Sequence, residues 1–266
     1  MQTELLLQQV HRIRTRQKRI GARKLLFMMN DFFQQHHIHI GRDAFFDLLR
    51  ERSLLVRRRR GGKPRTTFSG FWLKKYPNLT KDFIPTAPNQ LWVSDITYIP
   101  VGNDFAYLSL ITDAYSHKVV GFFLSQDLSA QGCMMALKMA LKNNPDRKNL
   151  IHHSDRGLQY YSSGYMKLLS NIRISMSEKS DPLENAVAER MNGILKEELL
   201  DNYFETFEEA QREVAIAISI YNHERPHGSV DNLTPAMAHL QSGELKKRWK
   251  NYYKPKSKQV MESVSF

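Results

Sequence analysis

The 266-residue sequence contains one cysteine, Cys133. This excludes an internal disulfide and any zinc site built on two thiolates. Cys133 falls in an apolar helical stretch and is expected in the core. No run of about 18 apolar residues occurs, so no membrane span is expected. The first residues, MQTELLLQQVHRIR, lack the basic start and long apolar stretch of a secretory signal, which points to a cytoplasmic protein. Acidic residues are also scarce: 27 Asp and Glu face 39 Lys and Arg, a net charge of +12. The shortage is uneven. Residues 1–66 hold 16 Lys/Arg and 5 Asp/Glu, a surplus of +11, and residues 245–266 hold 7 and 1, a surplus of +6. The body between them is left at −5. Clustered positive charge of this kind calls for a polyanion. With no lipidation motif and no amphipathic basic anchor, nucleic acid is favoured over a membrane surface.

Apolar residues make up 41% of the chain, enough for a real core. In GARKLLFMMNDFFQQHH (21–37), Leu25, Met28, Met29, Phe32 and Phe33 recur at helical spacing. HIHIG (37–41) breaks this pattern, and RDAFFDLLRERSLL (42–55) resumes it with Phe45, Leu48 and Leu49 on one face. Two short helices around a glycine-containing turn resemble a helix-turn-helix, its second helix decorated by Arg42, Arg50 and Arg52. RRRRGGKPR (57–65) follows. Arg57, Arg58, Arg59 and Arg60, with a Gly pair and a Pro, suit a basic linker that tracks phosphates. Residues 1–66 are therefore expected to form a basic DNA-binding segment, 67–88 a linker, 89–243 the main domain and 244–266 a basic tail.

Beyond the linker, β-branched and aromatic residues take over. QLWVSDITYIPV (90–101), FAYLSLITDAYS (105–116) and KVVGFFLS (118–125) read as three strands of an antiparallel meander. A helix over 129–144, capped by Ser129, leads to a strand at 149–155, a short helix at 162–171 and a strand at 172–177. Helices at 182–200 and 206–224 follow, the second capped by Thr206 with Glu209 three residues on, and a last short helix begins at 234. The order β-β-β-α-β-α-β-α-α describes an α/β domain: one mixed sheet with helices on its faces.

Asp95 lies inside the first strand, where an uncompensated carboxylate is costly. Asp155, in IHHSDRGLQYYSS, ends the fourth. In a sheet of this order these two strands can be neighbours, which would bring both carboxylates together. Two close carboxylates need a positive partner. Oxygen ligands from few side chains suit Mg²⁺. A third carboxylate is expected from the helix at 182–200, where Glu184, Glu189, Glu197 and Glu198 are candidates. Asn185, Glu189, Asn192, Gly193 and Lys196 share one face at 100° per residue, opposite apolar Val187, Met191 and Ile194. That polar stripe would allow a phosphate backbone to approach. His152 and His153 suit packing or orienting roles. His223, Arg225 and His227, in HERPH, have zinc-like spacing but no accompanying thiolate pair or acidic-histidine helix, so no zinc is expected.

WVSDITYI, HHSDRGLQY, ENAVAERMNGILKEE and YNHERPHGSVDNLTP, in this order, resemble the second-reading-frame transposase product of the insertion sequence three family. The resemblance spans essentially the whole chain, and four ordered motifs make it specific. It implies a ribonuclease-H-like fold similar to retroviral integrases, with a small all-α N-terminal segment. It also implies an Asp-Asp-Glu triad, which falls by motif position on Asp95, Asp155 and Glu189. Lys196 fills the basic position seven residues after the glutamate. The 34 positions between Asp155 and Glu189 are slightly fewer than usual for the family. The shortening falls around EKSDPLEN, which leaves Glu184 as an alternative, while the NAVAER context and the polar stripe favour Glu189. The activity implied is metal-dependent cleavage and strand transfer of DNA at element ends, with Mg²⁺, Mn²⁺ substituting, held by the triad. Lys196, Arg156 and Asn192 would contact phosphates beside it. Homo-oligomers on DNA, and action as a fusion with an upstream reading frame, are further expectations. An inactive DNA-binding regulator and a ribonuclease acting on RNA–DNA hybrids are the alternatives.

Overall fold

The computed structural model describes residues 2–56, 76–81, 83–178 and 185–248. Arg57, Arg58, Arg59, Arg60, Glu184 and the tail beyond 248 lie outside the described residues. Four helices open the chain: α1 (Gln2–Arg16), α2 (Ala22–Met28), α3 (Asn30–Gln35) and α4 (Arg42–Glu51). They close on a core of their own, with Val10, Leu25, Met29, Phe45 and Leu49 fully buried. Helix α1 is absent from the sequence-based expectation, although Leu6, Leu7 and Val10 supply its apolar face. The segment 21–37, expected as one helix, is two, because Met29 leaves helical geometry at φ −88°, ψ 0°.

Among the described residues the main domain has one five-stranded sheet. Its strands are β1 (Leu91–Val101), β2 (Asp104–Asp113), β3 (Val119–Ser125), β4 (Ile151–Ser154) and β5 (Arg173–Met176), in the spatial order β3-β2-β1-β4-β5. β1 pairs antiparallel with β2 and parallel with β4. The meander is tight because Gly102 takes φ +55° at the first turn, a conformation that suits glycine. The mixed sheet matches the expected ribonuclease-H-like α/β fold.

Helices cover both faces. On one side α5 (Ala130–Asn143) and α6 (Ser163–Leu168) pack with Trp92, Ile111 and Val120. Ser129 caps α5 by accepting from the Gln131 amide. Gly121 lets α5 approach closely: a Cβ there would stand 2.2 Å from the Ala136 carbonyl oxygen. On the other side lie α7 (Ala186–Ile194), a π-helical turn (Leu195–Leu199) and α8 (Phe207–His223), joined by Ile99, Leu108, Leu110 and Leu124 of the sheet. Thr206 caps α8 as its spacing predicted, accepting from the Glu209 amide at 3.2 Å. The short α9 (Pro235–Ala238) ends at His239, whose Nδ1 meets Ser116 Oγ at 2.9 Å. Ser116 in turn donates to the fully buried Asp113, which pins the end of α9 to the β2–β3 turn.

The N-terminal helices dock on the main domain through charge. Arg16 grips Glu224 with two hydrogen bonds, Lys18 meets Asp201 at 2.6 Å and Lys24 meets Glu198 at 3.5 Å. Glu198 is also held by two 2.9 Å bonds from Arg225, which is 1% exposed. Burial and the nearby Arg225 lower the Lys24 pKa to about 8.

Candidate active site

The parallel ladder between β1 and β4 sets the site. Ser94 lies opposite Ser154, so the next residues, Asp95 and Asp155, leave adjacent positions of neighbouring strands. β4 stops at Ser154 and frees Asp155 from the ladder. Its Oδ1 accepts the Gly157 amide at 3.0 Å, an Asx-type turn that fixes the carboxylate. Asp95 remains inside β1, on the face that carries Val93 and Thr97 toward α7. It is half-buried.

Helix α7 brings the remaining groups. Asn185, Glu189 and Asn192 recur at i, i+4 and i+7 and so share a face. Asn185 Nδ2 donates to the Ser94 carbonyl at 3.3 Å, and Asn192 Nδ2 donates to Asp95 Oδ2 at 2.7 Å. Glu189, between them, is exposed and close enough for its charge to act on Asp95. Burial, then the Asp155 charge and more weakly that of Glu189, raise the Asp95 pKa to about 7. Burial also raises the Asp155 pKa. Lys196, on the π-helical turn, reaches Thr97 Oγ1 at 3.5 Å, and burial lowers its pKa.

The structure thus brings Asp95, Asp155 and Glu189 to one place, with Lys196 two strand residues from Asp95. Asn192, expected on an open DNA-facing stripe, is instead 9% exposed and bonded to Asp95. The polar stripe of α7 faces the carboxylates, and a buried polar face is satisfied by polar partners. Arg156 stands beside Asp155 with its buried Nε lacking a hydrogen-bond partner among the described residues. Arg42 lies far along the chain, exposed and paired with Asp43 at 2.9 Å. His152 is buried against the Tyr165 hydroxyl at 3.0 Å, and burial takes its pKa down to about 3. His153 Nδ1 meets Ser175 Oγ at 2.8 Å. Cys133 is buried, and burial pushes its thiol pKa up to about 11.

Among the described residues no three His, Cys, Asp or Glu side chains are already drawn together tightly enough to hold a metal ion. The chemistry of the site nevertheless fits a hard divalent cation. Its donors are all oxygens, and Asp95, buried and facing the charges of Asp155 and Glu189, is short of positive charge. The buried Oδ1 atoms of Asn185 and Asn192, both without hydrogen-bond partners among the described residues, add unused acceptors at the same face. Sequence reasoning missed both asparagines as acceptors; their i, i+7 spacing around Glu189 was the available signal.

Comparison with known proteins gives the family and the fold. Two models described as "Integrase core domain" match residues 85–182 and 170–235. The "Insertion element IS600 uncharacterized 31 kDa protein" of Shigella sonnei is 36% identical over 232 residues, 85% of this chain and 83% of that protein. The "Transposase for insertion sequence element IS904" of Lactococcus lactis subsp. lactis is 39% identical over 167 residues, 60% of this chain and 65% of that protein. A chain of the simian T-cell lymphotropic virus intasome in complex with the PP2A regulatory subunit B56 gamma shares the fold at 16% identity. That match has a TM-score of 0.50 and covers 89% of this chain and 76% of the other. These matches define a DDE-type polynucleotidyl transferase with an integrase-like core, a class that uses divalent metal. The chain belongs to the insertion sequence three (IS3) family of DDE transposases. It is a DNA transposase. Among the described residues, no helix is long and apolar enough to cross a membrane.

Proposed function

We propose that this transposase cuts and joins DNA strands at the ends of its element by two-metal phosphoryl transfer, with Asp95, Asp155 and Glu189 as the catalytic carboxylates. The observation behind this reading is the β1–β4 register, which sets Asp95 beside Asp155 under the α7 face that bears Glu189. These three side chains would hold Mg²⁺, with Mn²⁺ substituting. When bound, the metal pair supplies Lewis-acid activation of a water or 3′-hydroxyl and stabilisation of the leaving oxygen.

The protein groups have distinct tasks in this account. The Gly157 amide orients Asp155, and the strand amide of Ile96 donates to Asp95 Oδ1 at 2.9 Å. Lys196 and Arg156 bind phosphates on either side of the carboxylates, and burial strengthens both contacts by excluding water. The surplus positive charge of the N-terminal segment, with Arg42 and Arg57, Arg58, Arg59 and Arg60, holds DNA with a steep dependence on salt. No side-chain nucleophile is required: Cys133, buried with a raised pKa, is unsuited to that task. The active species is a homo-oligomer on DNA, and fusion to an upstream-frame product is the form to test alongside the chain alone.

The test is incubation with DNA carrying the sequences that flank the element, for the chain alone and for the fusion. Mg²⁺-dependent nicking and joining, absent in Ca²⁺ and in Asp155→Asn and Glu189→Gln, is the expected result. Salt-sensitive binding without cleavage in either form would replace this reading with that of a DNA-binding regulator. Cutting confined to RNA–DNA hybrids would replace it with a ribonuclease.

A further inference from the structure

Asp95 is held by two donors. One is the amide of the next strand residue, Ile96, a purely local contact at 2.9 Å. The other is Asn192, two turns along α7 from Asn185, at 2.7 Å. Asn192 is 9% exposed, yet its Oδ1 has no hydrogen-bond partner among the described residues. A buried amide with one unused acceptor is costly to keep, by about 1–3 kcal/mol. Packing does not require it: Met191 and Ile194 beside it are buried apolar residues, and an apolar side chain of equal size would fill the same volume. What an amide offers here, and a leucine does not, is a neutral donor that cannot be lost or gained with pH. It faces a carboxylate already crowded by Asp155 and Glu189.

We infer that Asn192 is a positioning residue: its Nδ2 fixes the rotamer of Asp95 across the β1–α7 boundary, so that this carboxylate is preset for the cation. The inference rests on the assignment of Asp95 as a metal ligand. It goes further in assigning a role to a residue bonded to Asp95 rather than open to solvent, and it separates Asn192 from the phosphate contacts proposed for Lys196 and Arg156. Asn192 also ties catalytic helix to catalytic strand. Glu189 lies three residues earlier on α7, so this bond, with that of Asn185 to the Ser94 carbonyl, helps set the spacing between the helix carboxylate and Asp95.

The experiment measures Mn²⁺ affinity of the full chain without DNA, by electron paramagnetic resonance of free Mn²⁺, together with thermal stability. The variants are Asn192→Leu, which keeps volume and removes the donor, and Asn192→Ser, which is small enough to be accommodated should leucine prevent folding. Asn222→Ala is the control. Its amide is buried against the edge strand β3, two strands from β1, bonding both backbone groups of Val119 at 3.0 Å, so it reports generic damage from losing a buried amide. The expected result is Mn²⁺ binding weakened about tenfold or more in the Asn192 variants, as for other residues that orient metal ligands, with Asn222→Ala unchanged. In cleavage assays kcat falls while KM for DNA stays constant. Unaltered Mn²⁺ affinity in a folded Asn192 variant overturns the inference, as does an equal loss in Asn222→Ala. Asp95→Asn separates the two levels. If it leaves Mn²⁺ binding intact, the site assignment itself fails; if it abolishes binding while Asn192→Leu does not, the role of Asn192 alone fails.

Discussion

Replacing Asp95 by asparagine is expected to stabilise the metal-free protein at alkaline pH. The carboxyl rises from its ordinary pKa of 3.8 to about 7 in the fold, first through burial and then through Asp155. Because the folded-state value is raised, the folded protein keeps its proton longer than the unfolded chain. Stability from this group is therefore fully present below about pH 4 and is lost as pH rises through 7. At about 1.4 kcal/mol per pH unit the loss by pH 8 is at most about 4 kcal/mol. Asp95 is half-buried, so water relieves part of it and about 2–4 kcal/mol is the expected range. Asparagine keeps the shape and removes the charge. Asn192 can turn its amide and offer the now unpartnered Oδ1 to the new NH₂ group. With about 2–4 °C per kcal/mol for a domain of this size, the variant should melt about 5–15 °C higher than the parent at pH 8 in EDTA. The two should coincide near pH 4. The assay is thermal unfolding followed by circular dichroism across pH, with and without Mg²⁺. Mg²⁺ should stabilise the parent and leave the variant unchanged. Equal pH dependence of both proteins, or a variant less stable at pH 8, would refute the reasoning.

Gly121→Ala should yield little folded protein, since the new Cβ meets the Ala136 carbonyl oxygen at 2.2 Å and cannot move it without shifting α5; soluble yield and melting temperature check this. Glu198→Gln leaves the fully buried Arg225 without its carboxylate and should cost about 3–5 kcal/mol, read by urea unfolding. Burial lowers the pKa of His117 to about 4 and of His152 to about 3. Their contribution is present above the unfolded value near 6.5 and is lost as pH falls through these depressed values. His152→Phe should therefore flatten the acid limb of the stability profile between pH 6 and 4. The ion pairs of Arg16 and Lys18 are largely exposed and so are screened by salt, and 0.5 M salt should open the N-terminal helices to limited proteolysis before the main domain unfolds.

Much of the sheet could be read from the chain because its strands alternate and its turns are short. Strand order allowed Asp95 and Asp155 to be neighbours, since a crossover through α5 can return β4 parallel to β1, and the two strands do pair that way. What could not be read is instructive. Asn192 belongs to a polar helical stripe, and such a stripe looks the same in sequence whether it meets solvent or a cluster of carboxylates. Met29 breaks an apolar pattern that continues smoothly through it, because helical periodicity survives a local departure at one residue. The π-helical turn at Leu195–Leu199 leaves no mark in the residue pattern, although it sets where Lys196 points. The Glu198–Arg225 pair joins residues 27 positions apart, and only the packing of α8 against the π-helical turn creates it.

The most direct measurement is a crystal of the full chain grown with Mn²⁺, with anomalous scattering collected at the manganese edge. The account predicts a peak touching the carboxylate oxygens of both Asp95 and Asp155, on the side facing Glu189, and its loss in Asp155→Asn. A peak elsewhere on the surface, or none at a Mn²⁺ concentration that supports DNA cleavage, would contradict it.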